Sequence, residues 1–211
     1  MFLCGLKFIQ SLGQKLITMR IIGGELKARQ FHPPANIPTR PTTDMAKESL
    51  FNIINNSFNF DNIKVLDLFG GTGSISYEFA SRGCTDITTV EIFPKCANFI
   101  KKTSQDFGLK QIKVMQMDVF RYMESCVEKY DVIFAGPPYP LPNLNEIPDL
   151  IFQYGLVDGE GWFILEHNPD HNFERHPHFL RSKNYGTTIF AIFTNAGKMN
   201  TVITESTENN E

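Results

Sequence analysis

Three carboxylates punctuate this 211-residue chain, each in or at the end of a short apolar run. Asp67 lies in Ile63–Phe69, Glu91 lies near the end of Asp86–Ile92, and Asp118 directly follows Ile112–Met117. Gly70-Gly71-Thr72-Gly73 follows the first run. Glycine has no Cβ, so the backbone can turn sharply there and a ligand can touch the main chain. In an open α/β sheet, strand ends of this kind line one crevice. An acid at the first strand suits a cationic amino-acid tail. Glu91, 18 residues past Gly73, suits a pair of ribose hydroxyls. Asp118 suits an adenine amino group. The set reads as a site for adenosine with an amino-acid tail, S-adenosylmethionine, with NAD still open because it too would accept Glu91. The residues expected to hold it are Asp67, Phe69, Gly70, Gly71, Thr72, Gly73, Glu91, Ile92, Asp118 and Val119. Ser76 occupies the place of the third glycine in the dinucleotide fingerprint, and no Gly-Lys-Ser/Thr run marks a phosphate loop.

Regular alternation of elements must position these residues. Strands are expected at 63–69, 86–92, 112–117, 130–135 and 161–166. Helices are expected after the glycine turn, over 94–107 and 119–127, and within 144–154. Residues 179–185 and 187–193, parted by Gly186, read as an antiparallel pair. Such alternation implies a mostly parallel sheet with helices on both faces. Ahead of it, two short β-like pieces flank Gly23-Gly24, and a helix starts near Asp44 with that residue or a neighbouring Thr as its cap. The division expected is an extension or upstream start over 1–18, a hairpin and helix over 19–60, a main domain over 61–195 and an acidic polar tail over 196–211.

Composition narrows the classes. The net charge is −3 and 42% of residues are hydrophobic, which suits one packed domain. Residues 1–40 carry six bases and Glu25 alone, so a polyanion could be gripped there. Lys27, Arg29, Arg40 and Thr42 are the residues expected to contact it. Four cysteines without CxxC spacing read as reduced and packed, as in a cytoplasmic protein. No apolar run reaches membrane-spanning length. His167, His171, His176 and His178 are interspersed with Asn and Pro and lack a cysteine partner, so a solvated loop is expected and no metal.

Tyr130-Asp-Val-Ile-Phe-Ala-Gly-Pro-Pro-Tyr139 resembles the signature of amino-group methyltransferases, in which an Asp, Asn or Ser precedes Pro-Pro and an aromatic residue. An exocyclic amine is a poor nucleophile, because its lone pair is delocalised into the base. Hydrogen bonds from it to a side-chain oxygen and a backbone carbonyl hold it in place, prolines stiffen that carbonyl, and the aromatic ring stacks on an extruded base. Pro137, Pro138 and Tyr139 fit this catalytic loop. Gly136 supplies no acceptor, and losing one such contact is expected to slow turnover by about 100- to 1000-fold.

From Met19 onward the chain is similar to the RsmD family, bacterial guanine-N2 methyltransferases of 16S ribosomal RNA. Arg20-Ile-Ile-Gly-Gly24, Arg40-Pro-Thr-Thr-Asp44, Glu48-Ser-Leu-Phe-Asn52, Asp67-Leu-Phe-Gly-Gly-Thr-Gly73 and Pro137-Pro-Tyr139 carry the likeness over roughly residues 19–195. The resemblance implies a Rossmann-like methyltransferase fold, with a mostly parallel seven-stranded sheet, a C-terminal antiparallel strand and a small N-terminal hairpin. It implies S-adenosylmethionine as cofactor, and one guanine of 16S rRNA, in the small subunit or an assembly intermediate, as substrate. A monomer is expected. The family normally has Asp where this chain has Gly136. A catalytically impaired RNA-binding homologue is therefore the alternative, and an amino-methyltransferase of DNA or another RNA a weaker one.

Overall fold

The computed structural model describes residues 18–34, 37 and 42–196. Arg40, Cys4, most of the N-terminal extension and the acidic tail lie outside them. Two short strands, β1 (Met19–Arg20) and β2 (Gln30–Phe31), pair antiparallel. The helix α1 (Asp44–Asn55) follows, and Thr43 is its cap, its Oγ1 accepting from the Ala46 N–H at 3.2 Å. Ala46, Leu50, Phe51 and Ile54 form its buried side, as their spacing implies.

The main domain then alternates. It runs β3 (Lys64–Leu68), α2 (Ser74–Ser81), β4 (Asp86–Val90), α3 (Pro94–Asp106), β5 (Ile112–Met115), α4 (Val119–Ser125) and β6 (Tyr130–Ala135). It continues with α5 (Ile147–Gln153), β7 (Val157–His167), β8 (Phe179–Tyr185) and β9 (Thr188–Thr194). The seven strands lie in the order β5-β4-β3-β6-β7-β9-β8. The first five are parallel, and β9 runs against both its neighbours. From β3 the chain winds outward through β4 and β5, then returns to place β6 on the other side of β3. A crevice therefore opens above the carboxyl ends of β3 and β6.

The strands are apolar on both faces because both faces are covered. Val65, Val132, Phe134 and Ile164 pack on one side with α1, α2 and the hairpin. Leu66, Leu68, Ile133, Ala135 and Leu165 pack on the other with α4 and α5.

Several expected boundaries move. β4 and β5 end before Glu91 and Gln116. The helix α4 stops at Ser125, leaving Val127 almost fully exposed. β7 starts four residues early, at Val157, and its register with β6 shifts between Tyr130 and Val132. The exposed Asp158-Gly159-Glu160 carries no apolar signal, and Asn195 Nδ2 holds this extension through the carbonyls of Val157 and Gly159.

Candidate active site

The glycine turn is fixed from below and behind. Gly70 donates to the Val90 carbonyl at 2.9 Å, and Gly73 to the Gly70 carbonyl at 2.7 Å. A Cβ at Gly70 would overlap the methyl of Thr89. Gly73 has φ +78°, and a Cβ there would lie 2.6 Å from the Tyr77 ring, so only glycine fits. Phe69 adopts φ +64°, a left-handed conformation that a phenylalanine holds only when its surroundings impose it. Its ring packs against the core below the turn, as a residue under a ligand would.

Asp67 is buried beneath this turn. Its carboxyl accepts from Ser76 Oγ at 2.5 Å, and the same hydroxyl lies 2.6 Å from Thr89 Oγ1. Burial pushes the carboxyl up to about 7, against the opposing pull of its bonds to Ser76. The sequence marks Ser76 only as a missing glycine. Its place nine residues after Asp67, in the first turn of α2, is the signal that could have found this pairing.

Glu91 binds the turn to the end of β4. Oε2 accepts from the Gly71 N–H and Oε1 from the Phe93 N–H, both at 2.7 Å. Burial raises the pKa of this carboxyl and the two amides oppose the rise. Beside Glu91 a cavity of about 650 Å³ is lined by Ile92, Gln116, Met117, Asp118 and Arg121. Asp118 Oδ1 caps α4, accepting from the Arg121 N–H at 3.1 Å, while the residue also faces this cavity. Asp118 therefore caps α4 and faces the cavity at once. Arg121 escapes the sequence reading, and only its spacing from the cap could mark it. Val119 is buried in the first turn of α4.

The Pro-Pro-Tyr loop leaves β6 beside the glycine turn, and the Gly136 N–H donates to the Leu68 carbonyl at 3.3 Å. Gly136 is half-buried, Pro137 buried and Pro138 exposed. Among the described residues beyond its chain neighbours, a Cβ at Gly136 would meet only the Phe134 ring, at 3.1 and 3.7 Å. The Tyr139 hydroxyl reaches Glu166 Oε1 at 3.4 Å, and Thr42 Oγ1 donates to Glu166 Oε2 at 2.7 Å. Glu166 is buried at the end of β7. Ending the apolar Gly161–Leu165 run, Glu166 would by sequence be an exposed strand-end residue or a contact to the substrate, and its burial excludes exposure. Thr42, expected at the RNA, is tied to this carboxylate.

The hairpin is docked away from the crevice on the far end of α2. Glu78, fully buried, accepts from the Ile22 N–H at 2.6 Å and pairs with Lys47 and Arg82. The Leu26 N–H donates to Ser81 Oγ, which donates to the Gly23 carbonyl. Gly24 has φ +74°, and a Cβ on it would overlap the Ser81 carbonyl. The Ile-Ile-Gly-Gly run therefore serves close packing. The segment between β1 and β2 is a turn rather than two alternating strands, with Ala28 at φ +68°. Lys27 and Arg29 are exposed, and the Arg29 guanidinium lies 5.1 Å from the Phe107 ring centre.

The four histidines point to separate partners: Asn168, Asn145, Asp149 and the Thr194 carbonyl. Among the described residues, no three metal-binding side chains converge and no helix is long and apolar enough to cross a membrane. Cys84 and Cys96 are buried thiols.

A family model described as conserved hypothetical protein 95 matches residues 19–194. The chain belongs to this family, the RsmD family. This RsmD-family chain is 32% identical over 186 residues to the putative rRNA methyltransferase YlbH of Bacillus subtilis, covering 85% of its own length and 100% of that protein. It is 25% identical over 148 residues to the ribosomal RNA small subunit methyltransferase D of Escherichia coli K12, 70% of this chain and 74% of the other. Among solved structures, the putative methyltransferase yhhF from Escherichia coli superposes with a TM-score of 0.73 at 23% identity, over 85% of this chain and 99% of that one. The T. thermophilus 16S rRNA N2 G1207 methyltransferase RsmC, solved with AdoMet and guanosine, gives 0.66 at 18% identity, over 85% and 50%. The fold is the Rossmann-like methyltransferase fold expected from the sequence.

Proposed function

We propose that this chain methylates the exocyclic N2 of a guanine in 16S rRNA, within the small subunit or an assembly intermediate, using S-adenosylmethionine. One observation carries the reading. The Gly136 N–H donates to the carbonyl of Leu68 at the end of β3, so the Pro-Pro-Tyr loop and the glycine turn leave adjacent strand ends, and a base beside Tyr139 and a ligand on the turn would share one crevice. The names of the relatives support the RNA class.

The residues fit the cofactor. The turn at 70–73 has no room for side chains at Gly70 and Gly73, which leaves its backbone open to a ligand. Glu91 would receive the ribose, Ile92, Asp118 and Val119 the adenine end, and Asp67 would place negative charge under the amino-acid tail. Bound there, S-adenosylmethionine supplies an electrophilic methyl group. The chain's own part is to orient the base on Tyr139, stiffen the loop with Pro137 and Pro138, and exclude water. Lys27, Arg29 and Arg40 would hold RNA phosphates. The enzyme works as a cytoplasmic monomer.

A second reading, an RNA-binding homologue impaired in turnover, is favoured by Gly136 alone. Transfer of labelled methyl groups to undermethylated 30S subunits separates the two. Incorporation supports the enzyme, and tight subunit binding without incorporation supports the impaired homologue. Preferred labelling of DNA would contradict both.

A further inference from the structure

The chain as a whole is acidic, with a net charge of −3, yet the outer face of α3 is basic. Lys95, Asn98, Lys101, Lys102 and Gln105 recur at helical spacing and are exposed, while Cys96, Ala97 and Ile100 turn inward. Lys101 and Lys110 line a cavity of about 400 Å³ between α3 and the edge strand β5, with Gln105, Gly108, Ile112 and Val114. The Arg29 guanidinium of the hairpin lies over the Phe107 ring, and Phe107 adjoins Gly108 on the cavity wall. The basic surface is therefore continuous from the hairpin, past the cavity and along α3. It ends at Lys95, in the first turn of α3, just beyond Glu91 and the glycine turn that Glu91 holds. Few acids answer it. Asp106 pairs with Lys102, and Lys113 on β5 is matched by Asp86. Among the described residues, Lys27, Arg29, Lys95, Lys101 and Lys110 pair with no carboxylate.

We propose that this face is an RNA track, on which Lys95, Lys101, Lys110 and Arg29 hold phosphates of the same strand whose base enters the crevice. Uncompensated cations grouped on one face of an acidic protein make a local positive potential that attracts a polyanion. The 13 residues of α3 give the track a length of about 20 Å, enough for several nucleotides of a strand. The Phe107 ring steadies the Arg29 guanidinium, whose N–H fork suits a phosphate. Phosphate contacts carry no sequence information, so the track supplies affinity and register and leaves the choice of base to the crevice. The inference rests on the proposed rRNA reading and extends its contacts beyond the N-terminal segment.

The test measures binding of an unstructured oligouridylate, long enough to span α3, to the full chain over a range of salt concentrations. Lys95→Ala/Lys101→Ala/Lys110→Ala should flatten the log–log salt slope by about 2 and weaken binding roughly 10- to 100-fold at about 0.1 M salt. Replacing the same three lysines by Gln keeps most of each stem and should give the same loss, because the effect is one of charge. A control, Lys129→Ala/Arg175→Ala/Lys183→Ala, removes equal charge from exposed bases elsewhere, Lys183 lying on the opposite edge strand β8, and should keep the parent's slope. Thermal melts and S-adenosylhomocysteine binding should match the parent's in all three variants. A parent that does not bind the RNA overturns the inference. So does a track variant with the parent's slope, or a control that loses as much as the track variant. Methyl transfer to 30S subunits is measured separately. An active parent whose track variant binds RNA unchanged sinks the track alone, and an inactive parent that binds RNA through the track sinks the methylation reading alone.

Discussion

Asp67 gives this protein a pH-dependent stability that one substitution should erase. Its carboxyl is fully enclosed beneath the glycine turn and is raised from 3.8 to about 7, chiefly by desolvation. At 1.36 kcal/mol per pH unit the rise corresponds to about 4 kcal/mol. The folded state binds this proton more tightly than the unfolded chain does. The resulting stabilisation is complete below pH 3.8 and is lost as the pH climbs through about 7. In the Asp67→Asn variant the amide cannot ionise but keeps an oxygen that Ser76 can reach. Between pH 5 and pH 8 the parent should lose about 2–3 kcal/mol relative to Asp67→Asn. For a chain of this size that is a relative fall in Tm of roughly 5–10 °C. Thermal melts of both proteins across that range, without ligand, measure the difference directly. A difference that stays constant with pH would mean that Asp67 does not titrate in this range, which would refute a carboxyl raised to about 7. The same carboxyl links to the proposed ligand. A cationic amino-acid tail placed above it favours the ionised form, so binding of S-adenosylmethionine at pH 6 should release protons. Calorimetry in two buffers of different ionisation enthalpy detects this, and Asp67→Asn should abolish the release.

The remaining predictions concern the other elements. Glu91→Ala should weaken S-adenosylmethionine binding at least about tenfold and lower Tm, because the Gly71 and Phe93 amides lose a charged acceptor. Unchanged affinity by calorimetry would remove Glu91 from the ligand site. Gly24→Ala should cost about 2 kcal/mol or more, since it combines a left-handed φ with an overlap against Ser81. Chemical denaturation measures it, and a neutral result would show that the hairpin is not held at Gly24. Replacing Lys27, Arg29 and Arg40 by Ala should weaken 30S binding and flatten its salt dependence by about 2 in the log–log slope. An unaltered slope would reject phosphate contact. Gly136→Asp should remain folded, with the Phe134 ring yielding a few tenths of an ångström. It should raise methyl transfer by about 100- to 1000-fold, and a variant no faster than the parent would refute the view that the loop lacks an acceptor at position 136.

The sheet and its ligand crevice were legible because they rest on short-range signals. Apolar runs such as Val65-Leu66 and Ile133–Ala135 mark strands buried on both faces. Glu91 and Asp118 follow such runs and Asp67 sits near the end of its strand, and these acids mark the crevice. The long-range partnerships were not legible. Glu78 reads as one polar residue in an amphipathic helix, and only the packed hairpin and α1 reveal it as a buried junction for Ile22, Lys47 and Arg82. The Gly23-Gly24 pair reads as a turn, while its shape is dictated by α2. Glu166 is separated from Thr42 by 124 residues, and no local pattern connects them. The level of Glu166 relative to Gly136 depends on register between β6 and β7, which a bulge resets after Tyr130.

Nucleoside analysis by mass spectrometry decides the matter most directly. Undermethylated 30S subunits are incubated with the protein and S-adenosylmethionine, and the 16S rRNA is then digested. N2-methylguanosine approaching one residue per subunit, absent without protein, is the expected result. No new methylated nucleoside, or a methyl group on any base other than guanine, would contradict the proposed reaction.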